Sequence, residues 1–320
     1  MQKKYAPSVR FFKVALPIVV LVFNTRLSKA NTLIDTTIHA VKASKVEETI
    51  NISGTRFLFP LIEKWATEFK KEYPNISIVV KSGVENKDID ASAAPVKNAD
   101  KSKANYTVVS RFALVPIANQ KNPAINSLQQ KGISKADFLK IYFNSDKKET
   151  SFNYKVEQEV PIHVYSRGAC ASATFTNYFG KEIKDLNNVG GKIEDDKVLL
   201  ESVLKDSLGI AYNNLGFVYD LTTRKQKNGL RVIPIDLNEN GKIEKAENFY
   251  TTVDELIAAL EKSKSDLPPT GNLTFIYNNS KPAVKQFVDW ILTKGQQYNH
   301  ALGFLQTNIG VKQNLVNNKN

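Results

Sequence analysis

The chain has 320 residues, 42% of them apolar and 24% charged, with a formal charge of +12. That composition is globular, and the length suffices for two lobes with a core each. Six of the 44 basic residues fall in the first 30, which hold no acid; beyond them 38 basic residues mix with 32 acidic ones, as in KKETSF and KQKNG, so no dense basic face for nucleic acid is expected.

Residues 1–30 read as a secretory signal peptide. Basic residues up to Lys13 precede VALPIVVLVF, and Ser28 and Ala30 have the spacing of a cleavage site, which places the cut near Ala30. Ten apolar residues fall short of the about 20 that a membrane-spanning helix needs. The mature protein is therefore expected to be periplasmic or secreted. Residues 31–47 are polar and aperiodic, a linker. TINIS (49–53) alternates like a strand, and PLIEKWATEFKKEYP (60–74) sets Leu61, Ile62, Trp65 and Phe69 on one helical face, with Pro60 in its first turn and Pro74 at its end. NISIVVKSG (75–83) is a second strand, completing a βαβ unit.

Further along, TVVSRFALVPIAN (107–119) reads as a strand and SKADFLKIYF (134–143) as a helix capped by Ser134, with Asp137 three residues on. EVPIHVYS (159–166) is a strand entering the loop RGACAS, and ATFTNYF (173–179) a helix. DDKVLLESVLK (195–205) is a helix, LGIAYNN (208–214) and LRVIPID (230–236) are strands, and TVDELIAALEKS (252–263) is a helix opened by the capping box Thr252–Glu255. NLTFIYN (272–278) is a strand. KPAVKQFVDWILTKGQQYNHALGF (281–304) is one or two helices, with Val284, Phe287, Val288, Ile291 and Leu292 inward. Alternating strands and helices predict α/β layers.

The single cysteine, Cys170, can form no internal disulfide, and His39, His163 and His300 lack metal-ligand spacing. A Cys170–His163 pair has no orienting third group, so no enzyme is expected. IDLNENGKIEKAE (235–247) fits the calcium-loop template D-x-[DN]-x-[DN]-G-x5-E. Asp236, Asn238 and Asn240 would offer side-chain oxygens, Gly241 the sharp turn and Lys242 its carbonyl. Glu244 would ligate directly or through water, and Glu247 would close the site with both oxygens. With a strand before and a helix after, this predicts a structural Ca2+ site in a strand–loop–helix frame; the alternative is a polar turn without metal.

ISGTRFLFPLIEKW, DIDASAAPV, VYSRGACASATFTNYF, GIAYNNLGFV and AVKQFVDWILTKGQQYNHALGF, in that order over about residues 48–305, resemble the landmarks of the phosphate-binding proteins of bacterial ABC importers. The resemblance implies an α/β, two-lobed periplasmic-binding-protein fold (type II) with two crossover strands. Residues 48–117 and 272–320 would form one lobe, and residues 118–271, with the calcium-loop-like insert at 236–247, the other. It also implies a ligand between the lobes and a membrane permease as partner.

By the same resemblance three stretches build the anion site: Thr55, Arg56 and Phe57; Ser82 with Ser92; and Arg167 through Ala171, Ser172 and Ala173. Helix N-termini carry free N–H donors and partial positive charge, and an arginine adds a charge-assisted fork. Removal of Arg167 is expected to abolish anion binding with little change in melting temperature. The chain departs from the family where Ala93 and Ala169 replace acids that accept the proton of hydrogen phosphate. Three outcomes stay open: phosphate with weaker discrimination; a proton-free oxyanion such as sulfate, or a phosphorylated organic ligand; or a degenerate site in a sensor or surface interaction module.

Overall fold

Three strands and one helix set the pattern at the start of the described residues. β1 (Glu48–Gly54) leads into a short 3-10 turn and α1 (Phe59–Glu72), which returns through β2 (Ile76–Val80) to β3 (Ile89–Ser92). Both β2 and β3 lie parallel to β1, on its two sides. The computed structural model describes residues 47–95, 105–143, 150–152, 160–168, 170–187, 190–262, 268–278 and 281–307. The expected signal peptide and its cleavage point, almost all of the linker and Ala169 lie outside the described residues.

The remaining elements follow in order: β4 (Asn105–Asn119), α2 (Ile125–Lys131), α3 (Lys135–Tyr142), β5 (Thr150–Phe152), β6 (Val160–Arg167), α4 (Cys170–Tyr178) and β7 (Gly191–Ile193). Then come α5 (Asp196–Lys205), β8 (Gly209–Asn214), α6 (Leu215–Val218), β9 (Leu230–Val232), α7 (Val253–Lys262), β10 (Thr270–Tyr277) and α8 (Pro282–Thr293). Among the described residues the strand order is β2-β1-β3-β10-β4-β8-β6-β5, with β7 beside β6 and β9 beside β4.

β4 belongs to both halves of this sheet. Its first part pairs antiparallel with β10 from Asn105 to Ala113, and its second with β8 from Leu114 to Ala118. β10 begins at Thr270 opposite Ala113, where β4 changes partners, so β4 and β10 are the two crossover strands. This is the two-lobed binding-protein architecture.

Each half has its own aromatic core. In the first, the stripe Leu61, Ile62, Trp65 and Phe69 of α1 is buried, and Phe69 meets Phe287 and Trp290 of α8 edge-on at 5.0 and 5.7 Å. The Trp65 indole N–H donates to the Gly295 carbonyl at 2.9 Å, satisfying its one polar atom. In the second half Phe175 stacks on Tyr212 at 3.8 Å, with Phe138, Tyr142 and Phe179 packed around them. The predicted caps form: Ser134 Oγ accepts from Asp137 N–H at 3.2 Å, and Thr252 Oγ1 from Glu255 N–H at 3.1 Å.

Two boundaries differ from the sequence expectation. Helix α4 starts at Cys170, so residues read as loop already form its first turn. The strand expected over 230–236 is confined to Leu230–Val232, because Pro234 has no N–H to extend the ladder.

Candidate anion-binding site

In an open α/β sheet, ligands settle beyond the carboxyl ends of parallel strands, where helices begin. Both halves of this sheet have such an edge. In the first, β1 ends at Gly54 beside Ala91 of β3. Gly54 has φ 135°, and a Cβ there would lie 2.1 Å from the Ala91 carbonyl oxygen, so only glycine permits this approach. Thr55 follows. Its N–H donates to that same carbonyl at 2.8 Å, and its Oγ1 accepts from Ala93 N–H at 3.3 Å. Phe57 packs edge-on against Phe112 at 5.2 Å, in the core. Ser92 closes β3 and turns its hydroxyl back on Ala94. Ser82 is exposed in the turn after β2, where no hydrogen bond joins it to the other candidates.

In the second half β7, β6 and β8 run parallel. Arg167 is the last residue of β6, opposite Ile193 at the end of β7. Helix α5 begins just past β7, with Asp195 as its cap, accepting from Lys197 N–H at 2.9 Å and Val198 N–H at 3.3 Å. Asn214 ends β8, alongside β6. Ser172, in the first turn of α4, is fully buried, and its hydroxyl is committed: it donates to the Arg167 carbonyl at 2.5 Å and shares a 2.8 Å bond with the Tyr212 hydroxyl. Only the backbone of Ala171, Ser172 and Ala173 is left to serve a ligand.

Neither candidate arginine stands without an acid. Arg167 is 8% exposed, and its Nη1 lies 2.5 Å from Asp196 Oδ2. The exposed Arg56 guanidinium reaches Asp195 Oδ2 at 3.8 Å. Adjacent aspartates at the start of α5 thus stand beside the two arginines, on a different element from Ala93 and Ala169. The geometry corrects the expected neutrality of an Arg167 substitution for stability, since the Arg167–Asp196 pair is buried. Burial pushes the Asp196 carboxyl up from its ordinary range, against the pull of Arg167. The Arg167 Nε is buried and has no acceptor among the described residues.

Beside this edge a cleft of about 410 Å³ opens between the end of β3, α4 and the crossover strands, lined in part by Ala93, Tyr106, Thr174 and Asn272. Its lining carries no charged residue among those described, and Arg167 is not part of its wall. Thr174 bridges it, donating from Oγ1 to the Ala93 carbonyl at 3.1 Å.

The candidate calcium loop sits apart, after β9. Asp236 and Glu247, its first and last acids, are 3% and 4% exposed. Asp236 accepts N–H bonds from Asn240 (3.2 Å) and Gly241 (2.7 Å). Glu247 accepts from Leu237 (2.8 Å), Asn238 (3.2 Å) and Glu244 (3.0 Å). Gly241 adopts φ 79° as the turn requires, and Ile243 N–H donates to Gln130 at 2.8 Å, docking the loop on α2. Glu244 instead pairs with Lys242 Nζ at 2.9 Å, and that ammonium holds its carboxyl below the ordinary range. Among the described residues no group of three His, Cys, Asp or Glu side chains converges as a metal cluster.

Two half-sheets joined by crossover strands, with helix N-termini and a buried arginine at their carboxyl edges, define a solute-binding fold. The chain belongs to the PBP superfamily, whose domain model matches residues 40–294. Protein SphX of Synechococcus elongatus is 26% identical over 293 residues, covering 82% of this chain and 79% of that protein. A phosphate ABC transporter substrate-binding protein from Clostridium perfringens, solved with bound phosphate, is similar in fold at a TM-score of 0.61 and 17% identity, over 81% of this chain and all of that one. An ABC-type phosphate transport receptor from Vibrio cholerae matches at 0.56 and 14% identity over the same shares.

Proposed function

We propose that the protein is a secreted solute-binding protein that captures phosphate and delivers it to the membrane permease of an ABC-type importer. The observation that carries the reading is the buried Arg167, whose Nε has no acceptor among the described residues and which stands where β6 hands over to α4. On this reading a phosphate oxygen would accept from that Nε, and free N–H groups in the first turn of α4 would add donors to it. The two phosphate receptors of similar fold support the same ligand. On this reading the lobe boundaries fall between Ala113 and Leu114, where β4 changes partners, and at Thr270, where β10 begins. Secretion rests on the sequence pattern of residues 1–30.

Calorimetric titration tests the reading. Phosphate is expected to bind saturably, one per chain, in about the micromolar range. Absence of heat with every small oxyanion overturns it. Calorimetry is preferred over intrinsic fluorescence because Trp65 and Trp290 are both buried in the α1–α8 core.

We also propose that residues 236–247 bind Ca2+ as a structural ion. The observation in favour is the curled loop with Asp236 and Glu247 buried at its two ends. Each carboxylate oxygen has more than one lone-pair direction, so the N–H bonds that shape the loop leave room for a cation. Asn238, Asn240 and the Lys242 carbonyl would complete the shell, with Glu244 released from Lys242. At a dissociation constant of about 10⁻⁴–10⁻³ M, about 1 mM calcium would add about 0.4–1.4 kcal/mol of stability. Unchanged melting with calcium and with chelator refutes the site.

A further inference from the structure

The cleft of about 410 Å³ is built from three sides. The segment leaving β3 comes from the first half of the sheet, α4 from the second, and the crossover strands β4 and β10 complete the wall. Its size falls in the range of small-molecule sites, about 300–1,000 Å³. Alternate residues of a strand share a face, and the polar side chains Thr270, Asn272 and Thr274 recur at that spacing where β10 lines the cleft. Asn177 and Tyr178 of α4 join them, and Tyr106 of β4 brings a second aromatic ring.

Thr274 is 3% exposed, between the core residues Leu273 and Phe275, and its hydroxyl bonds to no described residue. That hydroxyl is nevertheless not sealed inside the protein; its open side is the cleft. Valine has the same shape and is as well suited to a strand. The position therefore carries a hydroxyl whose burial costs free energy that no contact within the fold offsets. The side chains of Thr270, Asn272 and Asn177 likewise make no hydrogen bond to another described residue, so donors and acceptors stand open around the same space. No charged side chain among the described residues lines it. An ionic guest would lose hydration there without gaining a counter-charge, whereas a guest with hydroxyls exchanges its bonds to water for bonds to Thr274 and the two amides. We infer that the cleft binds an uncharged, hydroxyl-bearing small molecule of about monosaccharide size. This site stands apart from the proposed phosphate contact, because Arg167 is outside its wall.

The test is calorimetric titration of the purified protein with D-glucose and with myo-inositol, and with phosphate in parallel. D-glucuronate and D-glucosamine at about pH 6.5 serve as counterparts of similar size that carry one charge. At least one neutral probe is expected to bind saturably, and at least about tenfold tighter than either charged one. Thr274→Val is expected to weaken that neutral probe about five- to tenfold with the melting temperature unchanged, since the deleted hydroxyl holds nothing in the fold. Asn272→Ala, at an exposed position of β10, reads the same loss should the first variant fold poorly. Absence of heat from both neutral probes overturns the inference. So does a charged probe that binds as tightly as the neutral ones, or a folded variant that keeps wild-type affinity. Phosphate binding without neutral-probe binding removes this inference alone and leaves the phosphate reading standing.

Discussion

Arg167→Met separates the proposed ligand contact from the buried ion pair, two roles of one side chain. The substitution removes the proposed ligand donor and leaves the Asp196 carboxylate, 4% exposed, without its counter-ion. Breaking one side of a buried pair costs about 3–5 kcal/mol. In a domain of this size each kcal/mol moves the melting temperature by roughly 2–4 °C, so a fall of about 6–20 °C is expected. The loss has a pH signature. Burial already raises the Asp196 carboxyl in the folded state, and without Arg167 it rises further, while in the unfolded chain it titrates near 3.9. A group raised on folding favours the native state below its unfolded pKa, and that benefit is lost as pH climbs through the folded value. The melting deficit of the variant should therefore be largest at about pH 8 and shrink toward pH 4, followed by calorimetry at each pH. Adding Asp196→Asn should restore most of the stability and none of the phosphate binding. A deficit that is flat with pH would show that the carboxylate is not held buried against Arg167, and the whole site assignment would fail with it.

Gly54→Ala forces a Cβ to within 2.1 Å of the Ala91 backbone oxygen at φ 135°. It should destabilise by about 3 kcal/mol or more, read as lost secondary structure on mild heating; wild-type melting would contradict the β1–β3 contact. Thr174→Val deletes the bond from α4 to the Ala93 carbonyl, and a loss of about 1 kcal/mol should weaken phosphate binding about fivefold with little change in fold. Glu247→Gln puts an amide where three N–H donors converge. Even in chelator it should cost about 1–3 kcal/mol, and hydrogen exchange should quicken over residues 236–247. Unaltered exchange there would show that the carboxylate does not hold the loop.

Most of the architecture was legible from periodicity and punctuation. The α1 stripe, the capping boxes at Ser134 and Thr252, and the long β4 strand follow from local sequence. What escaped was short or fully buried. β3 has four residues and β7 three, too few to show a period. Helix α2 buries only Leu128 among its residues and offers no cap side chain. The early start of α4 was hidden because Cys170, Ala171 and Ser172 are small residues equally at home in a loop.

The site was harder because its electrostatics are set by register rather than by neighbours in sequence. Arg167 could be picked out from the segment around it, and so could the absence of an acid at 169. The acid that pairs with Arg167 stands 29 positions away, brought level by the parallel pairing of Arg167 with Ile193. In the sequence Asp195 and Asp196 read only as the start of a helix, which they also are. Asn214 likewise reads as the polar end of a strand. Its bond to Asp196 appears once β8 is laid alongside β6. Which acid stands beside Arg167 is therefore set by the strands and helices that meet at the same edge, not by its own segment.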